Sequence, residues 1–289
     1  TLCEDQDILY NIVKNHYFYI RIVLTMQRNI LDISIFIWFI IVMIKNIIVI
    51  GSGKGGVGKS TVTVNLAISL AKKNLNIGLL DADIYGPSIP KMLGIKEKPG
   101  VTENKKIIPY LKYGIKSISI GNMIPDNGAV IWRGAMASSA IKQLFNDVDW
   151  GDLDYLLVDL PPGTGDIQLS LCQSFTLKGA VIVSTPQEIS LIDVRKSINM
   201  FKKVNVPILG IVQNMSFFES GGRKNYIFGK DGVASEAKKQ NLNLLGEIPI
   251  LTKISESGDT GKPLTFDQKS EVFKIFEKIG RKTIDASDK

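Results

Sequence analysis

A glycine-rich stretch at residues 51–61 constrains this 289-residue chain more than any other part of its sequence. It reads GSGKGGVGKST, and from Gly53 it fits the phosphate-loop pattern of a glycine, four residues, then Gly-Lys-Ser. The β-branched run at 46–50 predicts a buried strand before it, and residues 62–72 place apolar side chains at helical spacing after it. A strand, a glycine loop and a helix in this order aim backbone N–H groups and a positive helix end at one point. The stretch therefore predicts a polyphosphate site at the first turn of an α/β sheet.

The side chains of this loop have separate expected tasks. The glycines let the backbone close around phosphates without Cβ clashes. Lys59 is expected to reach the β- and γ-phosphates, and Ser60 to ligate Mg²⁺. A glycine-rich turn without a ligand is the alternative, and both flanks argue against it. The expected nucleotide-binding residues of the loop are Gly53, Lys54, Gly55, Gly56, Val57, Gly58, Lys59, Ser60 and Thr61.

Acidic residues end two further strands expected in the same sheet. Asp81 and Asp83 lie where the run 76–81 gives way to turn residues, and Asp159 ends the run 154–159. Open α/β sheets bind ligands at the carboxyl ends of their strands. We therefore expect Asp83 to orient the attacking water or to hold a magnesium-bound water, and Asp159 to act on Mg²⁺ through water. An aspartate at such a junction can also be only a turn or cap residue.

Two later segments are expected at the same edge. The stiff loop 160–166, LPPGTGD, suits a switch that senses a γ-phosphate through the backbone N–H of Gly163 or Gly165; a rigid connector is the alternative. Asn214 follows the strand expected at 207–213, and its amide can pair with both a donor and an acceptor on adenine. An Asx turn is the other interpretation of Asn214.

Composition permits one large α/β domain or two small ones, with 45% hydrophobic and 22% charged residues. The net charge of +7 is spread along the chain instead of concentrated in blocks, so nucleic acid and membrane are not the expected partners. Cys3 and Cys172 form no CxxC motif, which argues against a disulfide scaffold and favours a reducing compartment, the cytoplasm or an organellar matrix.

Residues 1–42 differ in kind from the rest, because they contain no Gly, Ala or Pro and are crowded with Ile, Tyr, Asn and Phe. We interpret them as a non-native or disordered extension, with Met43 as the natural start. Without them the chain has no histidine, which excludes a histidine base or ligand. A membrane anchor is the competing interpretation, but the apolar run 33–44 has 12 residues where a span needs about 20. The expected organisation is then a phosphate-loop ATPase domain over 43–282 and a C-terminal tail over 283–289.

The alternation of strand and helix after the phosphate loop predicts an α/β fold, with a doubly wound, mainly parallel sheet and helices on both faces. Residues 94–130 interrupt this alternation and predict a hairpin with loops. A helix is expected from Gly134 to Val148, with Trp132 before it as a packing residue. The last helix is expected over 268–278, with an apolar face that packs on the core.

Several strings carry a resemblance to a known family. KGGVGKS at 54–60 resembles the deviant Walker A loop of the SIMIBI-class ATPases, and DLPPGTGD at 159–166 and QNMSF at 213–217 are similar to the Mrp/ApbC/Ind branch of that class. The resemblance covers nearly all of 43–280. It implies a homodimeric ATPase, cytosolic or organellar, that binds an iron–sulfur cluster and delivers it to apoproteins. It also implies that Lys54 crosses the dimer interface to the partner's nucleotide.

The chain departs from this family where the cluster would be held. Members with a cluster carry a CxxC shortly after the Asn-Met-Ser segment, so that a dimer offers four thiolates to a 4Fe–4S cluster. Residues 214–223 contain no cysteine, and Cys172 is expected to be a buried apolar side chain. No cluster ligand is therefore predicted. Either other ligands or a partner's thiols would complete a cluster, or the protein acts as a nucleotide switch on the assembly machinery.

The favoured function is that of an ATP-hydrolysing homodimer of iron–sulfur cluster assembly, with Lys54, Lys59 and Asp83 as catalytic residues. ATP and Mg²⁺ are the expected cofactors, an iron–sulfur cluster is a further candidate, and apo iron–sulfur proteins or assembly factors are the expected partners. The alternative is a MinD/ParA-like positioning ATPase that acts on membrane or DNA, which the positive charge and the final Lys-rich helix favour and the lack of a basic stripe opposes. A biosynthetic ligase or kinase on the same fold lacks an identifiable second substrate site.

Overall fold

The computed structural model describes residues 44–123 and 134–289. Ten strands lie in these ranges: eight form one sheet and two form a separate hairpin. The sheet consists of β1 (Ile44–Gly51), β2 (Ile77–Asp81), β3 (Tyr110–Lys112), β4 (Ile115–Ser119), β5 (Leu153–Asp159), β6 (Gly179–Ser184), β7 (Ile208–Gln213) and β10 (Leu244–Glu247), and the hairpin of β8 (Phe218–Ser220) and β9 (Arg223–Asn225).

The strand order across the sheet is β10-β7-β6-β1-β5-β2-β4-β3. Neighbouring strands are parallel, except that β3 runs antiparallel to β4. The first strand is therefore central and the chain winds outward to both sides, which confirms the predicted doubly wound, mainly parallel sheet. The hairpin expected within 94–130 is formed by β3 and β4, and β4 also extends the main sheet beside β2.

Helices cover the sheet on both faces. They are α1 (Lys59–Ala71), α2 (Ile89–Met92), α3 (Gly134–Asp147), α4 (Asp166–Ser174), α5 (Glu188–Lys203), α6 (Gly232–Lys239), α7 (Thr252–Thr260) and α8 (Glu271–Ser287), with short 3₁₀ turns at Ile120–Met123 and Leu264–Phe266. None of the helices in the described ranges has the length and apolar character needed to cross a bilayer.

The two faces of the sheet build two hydrophobic cores. Ile47 and Val49 of β1 pack into one core, with α3, α5 and α6, whereas Ile48 and Ile50 pack into the other, with α1 and α8. Successive side chains of a strand point to opposite faces, so a strand covered on both sides reads as a continuous β-branched run. This is why residues 46–50 predicted a buried strand.

The last helix differs from its prediction. It was expected over 268–278, but α8 runs from Glu271 to Ser287 and buries Thr283 and Ser287. Its start is set by Ser270, whose hydroxyl accepts a hydrogen bond from Phe273 N at 3.0 Å. The prediction of a tail over 283–289 is therefore wrong for residues 283–287, because packing against α1 and β10 carries the helix onward. The predictions for residues 1–42, Met43 and Trp132 lie outside the described residues.

Candidate nucleotide-binding site

The phosphate loop connects β1 to α1 at the carboxyl edge of the sheet. Gly56 and Gly58 adopt φ values of +80° and +81°, a left-handed conformation that glycine enters without strain. The loop and the start of α1 border a cavity of about 240 Å³. Its lining residues are Ser52, Lys54, Gly55, Gly56, Gly58, Lys59, Ser60, Thr61, Asp83, Gly86, Ser88, Met92 and Pro162. The structure thus brings the loop and the predicted Asp83 to one cavity, at the positive end of a helix.

Lys59 joins two of the predicted acidic residues. Its Nζ lies 2.7 Å from Asp159 Oδ2 and 3.4 Å from Asp83 Oδ2, and its side chain is 5% exposed. The three residues come from α1, β5 and the loop after β2, which are far apart in sequence. Parallel pairing places them together, because Ile50 of β1 and Asp81 of β2 both lie opposite Asp159.

Asp159 also contacts two hydroxyl groups of α1. Ser60 Oγ lies 2.6 Å from Asp159 Oδ2, and Thr63 Oγ1 lies 2.6 Å from Oδ1. Thr63 is fully buried and was not among the predicted site residues. Its position one helical turn after Lys59 was the available signal, since residues four apart share one helix face.

The oxygen atoms at this point suit a magnesium ion. Ser60 Oγ borders the cavity, and the Asp159 carboxylate lies directly behind it. Mg²⁺ prefers such hard oxygen ligands and keeps several waters beside one or two protein groups. Within residues 44–123 and 134–289, no three His, Cys, Asp or Glu side chains are grouped to hold a metal by themselves. Phosphate oxygens and waters would therefore have to complete the shell, as they do in nucleotide sites.

Asp83 is held in a tight turn. Its Oδ1 accepts hydrogen bonds from the backbone N–H groups of Tyr85 at 3.2 Å and Gly86 at 3.3 Å, while Oδ2 points to Lys59. The turn role considered as an alternative is thus present together with a place on the cavity wall. One carboxylate oxygen fixes the turn and the other contacts Lys59.

Asp81, which was not predicted as a site residue, is fully buried behind this turn. Its Oδ1 accepts from Asp83 N at 3.1 Å, and its Oδ2 accepts from Ser119 Oγ at 2.9 Å and from Ile89 N at 3.3 Å. Burial, followed by the negative charge of Asp159 on the neighbouring strand, raises the pKa of Asp81 to about 7.

The loop after β5 is hydrogen-bonded to the phosphate loop. Gly163, at φ +96°, donates its N–H to Ser52 O at 2.8 Å. Gln168 of α4 braces the same loop by donating to Pro161 O at 3.1 Å and to Pro162 O at 2.7 Å. Gly165 lies at the start of α4. The Gly163 N–H that was expected to sense a γ-phosphate therefore links the two loops here, and the sensing role stays a prediction.

Asn214 supports the phosphate loop from the side. Its Nδ2 donates to Val57 O at 2.8 Å, and a Cβ on Gly58 would lie 2.3 Å from the same nitrogen. Asn214 is buried at the end of β7, directly beside the loop. The structure therefore gives it a contact that the sequence did not indicate, and the predicted adenine contact stays a prediction.

Lys54 lines the cavity together with Lys59. Its backbone carbonyl accepts a hydrogen bond from Ser52 Oγ at 3.0 Å. The preceding Gly53 lies against Asp193 of α5, where a Cβ would come within 2.4 Å of the Asp193 main chain. Lys54 thus stands at the rim where the phosphate loop meets α5.

Comparison with known proteins identifies the family. A family profile described as ParA, NUBPL iron-transfer P-loop NTPase, matches residues 43–284. The chain belongs to this family. The iron–sulfur cluster transfer protein NUBPL of Dictyostelium discoideum is 52% identical over 229 residues, which make up 78% of this chain and 71% of that protein. The resemblance inferred from the sequence strings is confirmed.

Solved structures agree with this assignment. A nucleotide-binding protein from Archaeoglobus fulgidus in complex with ADP is 39% identical, with a TM-score of 0.70 over 81% of this chain and 92% of that chain. The cell division ATPase MinD of Pyrococcus furiosus is 25% identical, with a TM-score of 0.63 over 84% of this chain and 99% of that chain. These neighbours confirm the P-loop NTPase fold.

The region where this NUBPL-family chain lacks the CxxC forms the β8–β9 hairpin. The residues of both strands are exposed, and Gly221 and Gly222 turn the chain with φ values of +57° and +71°. Cys172 lies in α4 and is 4% exposed, and burial raises the pKa of its thiol to about 12. The prediction of a buried apolar cysteine is confirmed, and a thiol with such a pKa is a poor metal ligand at neutral pH.

Proposed function

We propose that this chain is a magnesium-dependent ATPase that works as a homodimer in the delivery of iron–sulfur clusters to apoproteins, in the cytosol or an organellar matrix. One observation carries the proposal: Lys59, Asp83 and Asp159 meet at a phosphate-loop cavity in a chain that belongs to an iron-transfer NTPase family. The named relative at 52% identity is an iron–sulfur cluster transfer protein, which supports this cargo.

Hydrolysis would proceed by positioning and charge compensation. The phosphates of ATP would occupy the cavity at the N-terminal end of α1, with the Lys59 ammonium beside them. Ser60, and Asp159 through water, would hold Mg²⁺, which neutralises phosphate charge when bound. Asp83 lines the same cavity and would orient the attacking water through its Oδ2 atom. Ser60, Asp83 and Asp159 are already held by hydrogen bonds, which favours a preorganised site.

A second copy of the chain would complete the site. Lys54 stands at the rim of the cavity, and α5 beside it exposes Ile189 by 65% and Ile192 by 45%. Exposed isoleucines beside an open site support a surface that is covered in an active state. We propose that this surface joins two protomers and that Lys54 reaches the nucleotide of the partner.

The cluster would be held without the family's cysteines. In the part of the chain that the structure describes, Cys172 is the one cysteine, so two copies offer at most two thiols there, both buried. We therefore propose that the partner proteins supply the remaining ligands, so that this chain governs transfer through its nucleotide state. Its cargo contact would then be transient, in contrast to a carrier with four thiolates of its own.

Anaerobic reconstitution of the full chain with iron and sulfide tests whether this chain hydrolyses ATP without holding a cluster of its own. We expect ATP turnover that requires Mg²⁺, together with little iron and acid-labile sulfide retained per dimer after desalting. A stable, near-stoichiometric cluster would contradict the proposal on ligands, and Cys172→Ser and Cys3→Ser would show which thiol holds it. Absence of Mg²⁺-dependent turnover in the wild type would contradict the proposal on ATP hydrolysis.

A positioning ATPase of the MinD/ParA type remains the competing function, because MinD shares the fold and the chain carries a net charge of +7. ATP-dependent co-sedimentation with DNA or anionic vesicles separates the two. Binding that weakens steeply with salt would favour the competitor. We expect no ATP-dependent binding to either.

A further inference from the structure

The buried carboxylate of Asp81 has no part in the chemistry proposed above, yet it contacts the segment that carries Asp83. It is fully buried at the end of β2. On the two neighbouring strands, the residues paired with it are Asp159 of β5 and Ser119 of β4. Its hydrogen bonds reach Asp83 N, Ile89 N and Ser119 Oγ. It therefore ties both ends of the loop 82–88 to the sheet.

The direction of the Ser119 hydrogen bond follows from its second partner. Ser119 Oγ accepts from Gly121 N at 3.0 Å, so its one hydrogen is directed to Asp81 Oδ2 at 2.9 Å. A buried hydroxyl that donates to a carboxyl oxygen satisfies both groups, and leaving either unsatisfied is costly. The hydroxyl therefore fixes the rotamer of Asp81.

A second contact links the 3₁₀ turn after β4 to the same loop. A Cβ on Gly121 would lie 2.8 Å from Pro87 Cβ, which shows that Pro87 packs directly on the glycine. Asp83, Gly86 and Ser88 of this loop line the nucleotide cavity. The turn after β4 thus contacts the loop that lines the cavity without lining the cavity itself.

We propose that Asp81 and Ser119 are positioning residues that hold the 82–88 loop, so that Asp83 presents its Oδ2 atom to the attacking water. The inference rests on the proposed ATPase function, because Asp83 is the group being positioned. Neither residue contacts the cavity, so their effect falls on the rate of the chemical step and not on the binding of ATP. Displacement of a positioned catalytic group by about 1 Å can reduce a rate on the order of 100-fold.

The chain offers a matched control on the same strand. Ser117 is also a buried serine of β4, 1% exposed like Ser119, and its Oγ has no hydrogen-bond partner among the described residues. Ser119→Ala and Ser117→Ala therefore make the same change of volume at the same depth. Asp81→Asn removes an acceptor from the core and tests folding as well as position, so the decisive variant is Ser119→Ala.

Two measurements on the full chain test the proposed positioning role of Asp81 and Ser119. Hydrogen exchange of the backbone amides in 82–88 reports the loop position without nucleotide, and steady-state kinetics with Mg²⁺ and ATP separate kcat from KM. We expect Ser119→Ala to speed exchange in this loop and to lower kcat by about 10- to 100-fold at an unchanged KM. Ser117→Ala is expected to change neither quantity.

The outcomes are distinguishable from a failure of the proposed function. Unchanged exchange in Ser119→Ala, or faster exchange with an unchanged kcat, overturns the inference. A general loss of activity in which KM rises as well, or which Ser117→Ala shares, also overturns it, because either result indicates a structural defect. A wild type without turnover overturns the ATPase proposal, and the exchange measurement still decides whether Ser119 positions the loop.

Discussion

Among single residues, Lys59 balances the charge of the site. Asp81, Asp83 and Asp159 are each less than 9% exposed, and the Lys59 ammonium contacts two of them. Buried carboxylates without a counter-charge are expensive, because they lose their hydration and gain no partner. Lys59 therefore has a structural task in the absence of nucleotide in addition to its proposed contact with phosphate.

Lys59→Ala is expected to abolish nucleotide binding and to lower the free energy of unfolding of the nucleotide-free protein by about 3 kcal/mol, as for other broken buried pairs. Urea denaturation measures the stability and calorimetric titration measures the binding. Lys45→Ala is the control, because Lys45 pairs with Asp154 with its side chain 65% exposed, and little change is expected there. Equal stabilities for Lys59→Ala and the wild type would contradict the charge-balancing role.

Asp81 is expected to give the nucleotide-free protein a distinctive pH dependence. Its pKa rises from 3.8 to about 7 on folding, so the folded state holds the proton more tightly than the unfolded state. The resulting stabilisation is complete below about pH 4 and is lost as the pH rises through 7. Asp81→Asn cannot titrate. The stability of the wild type relative to Asp81→Asn should therefore fall between pH 4 and pH 8 in urea denaturation, and a constant difference would contradict the assignment.

Among the structural elements, the phosphate loop depends on a support from β7 as well as on its own glycines. Asn214 at the end of β7 holds Val57 O, and Gly58 leaves the space in which that side chain lies. The end of β5 contributes a second support through Gly163 and Ser52. The loop is thus supported from the ends of two other strands, one on each side of β1, before any nucleotide arrives.

Gly58→Ala should destabilise the nucleotide-free protein more than Gly56→Ala. Both glycines have φ near +80°, so both alanines carry the same left-handed cost of about 1 to 2 kcal/mol. Nothing lies within 4 Å of a Cβ on Gly56, whereas a Cβ on Gly58 lies 2.3 Å from Asn214 Nδ2. Displacement of Asn214 adds about 1 to 3 kcal/mol for the lost buried hydrogen bond. Thermal or urea unfolding measures the difference. Equal losses of unfolding free energy in the two variants would show that Asn214 can move without a loss of stability.

For the whole molecule, the proposed dimer divides one active site between two chains. Lys59 would serve the nucleotide of its own protomer, and Lys54 that of the partner. The two lysines are separate residues, five positions apart. A substitution of one lysine therefore leaves the other lysine of the same chain in place. This arrangement permits complementation between two inactive proteins.

A mixture of Lys54→Ala and Lys59→Ala proteins is expected to regain ATP turnover that neither protein shows alone. In the mixed dimer, the Lys54→Ala protomer binds ATP through its own Lys59 and receives Lys54 from its partner. Lys54→Ala alone should still bind nucleotide, which separates it from Lys59→Ala. Turnover measured at varied mixing ratios should be maximal near equal amounts. Normal hydrolysis by Lys54→Ala alone would show that Lys54 does not act across the interface.

The sequence alone determined the phosphate loop, the doubly wound sheet and the positions of Asp83 and Asp159, because these follow from local glycine geometry and from the alternation of strand and helix. The buried state of Cys172 also followed from its apolar surroundings. Tertiary structure decided which side chains meet. Three hydrogen-bonded pairs form only through strand order and register. They are Asp81 with Ser119, Asp159 with Thr63 and Val57 with Asn214, whose members are 38, 96 and 157 positions apart. The extent of α8 was likewise decided by its packing on α1 and β10, since helical propensity is weak beside tertiary contact.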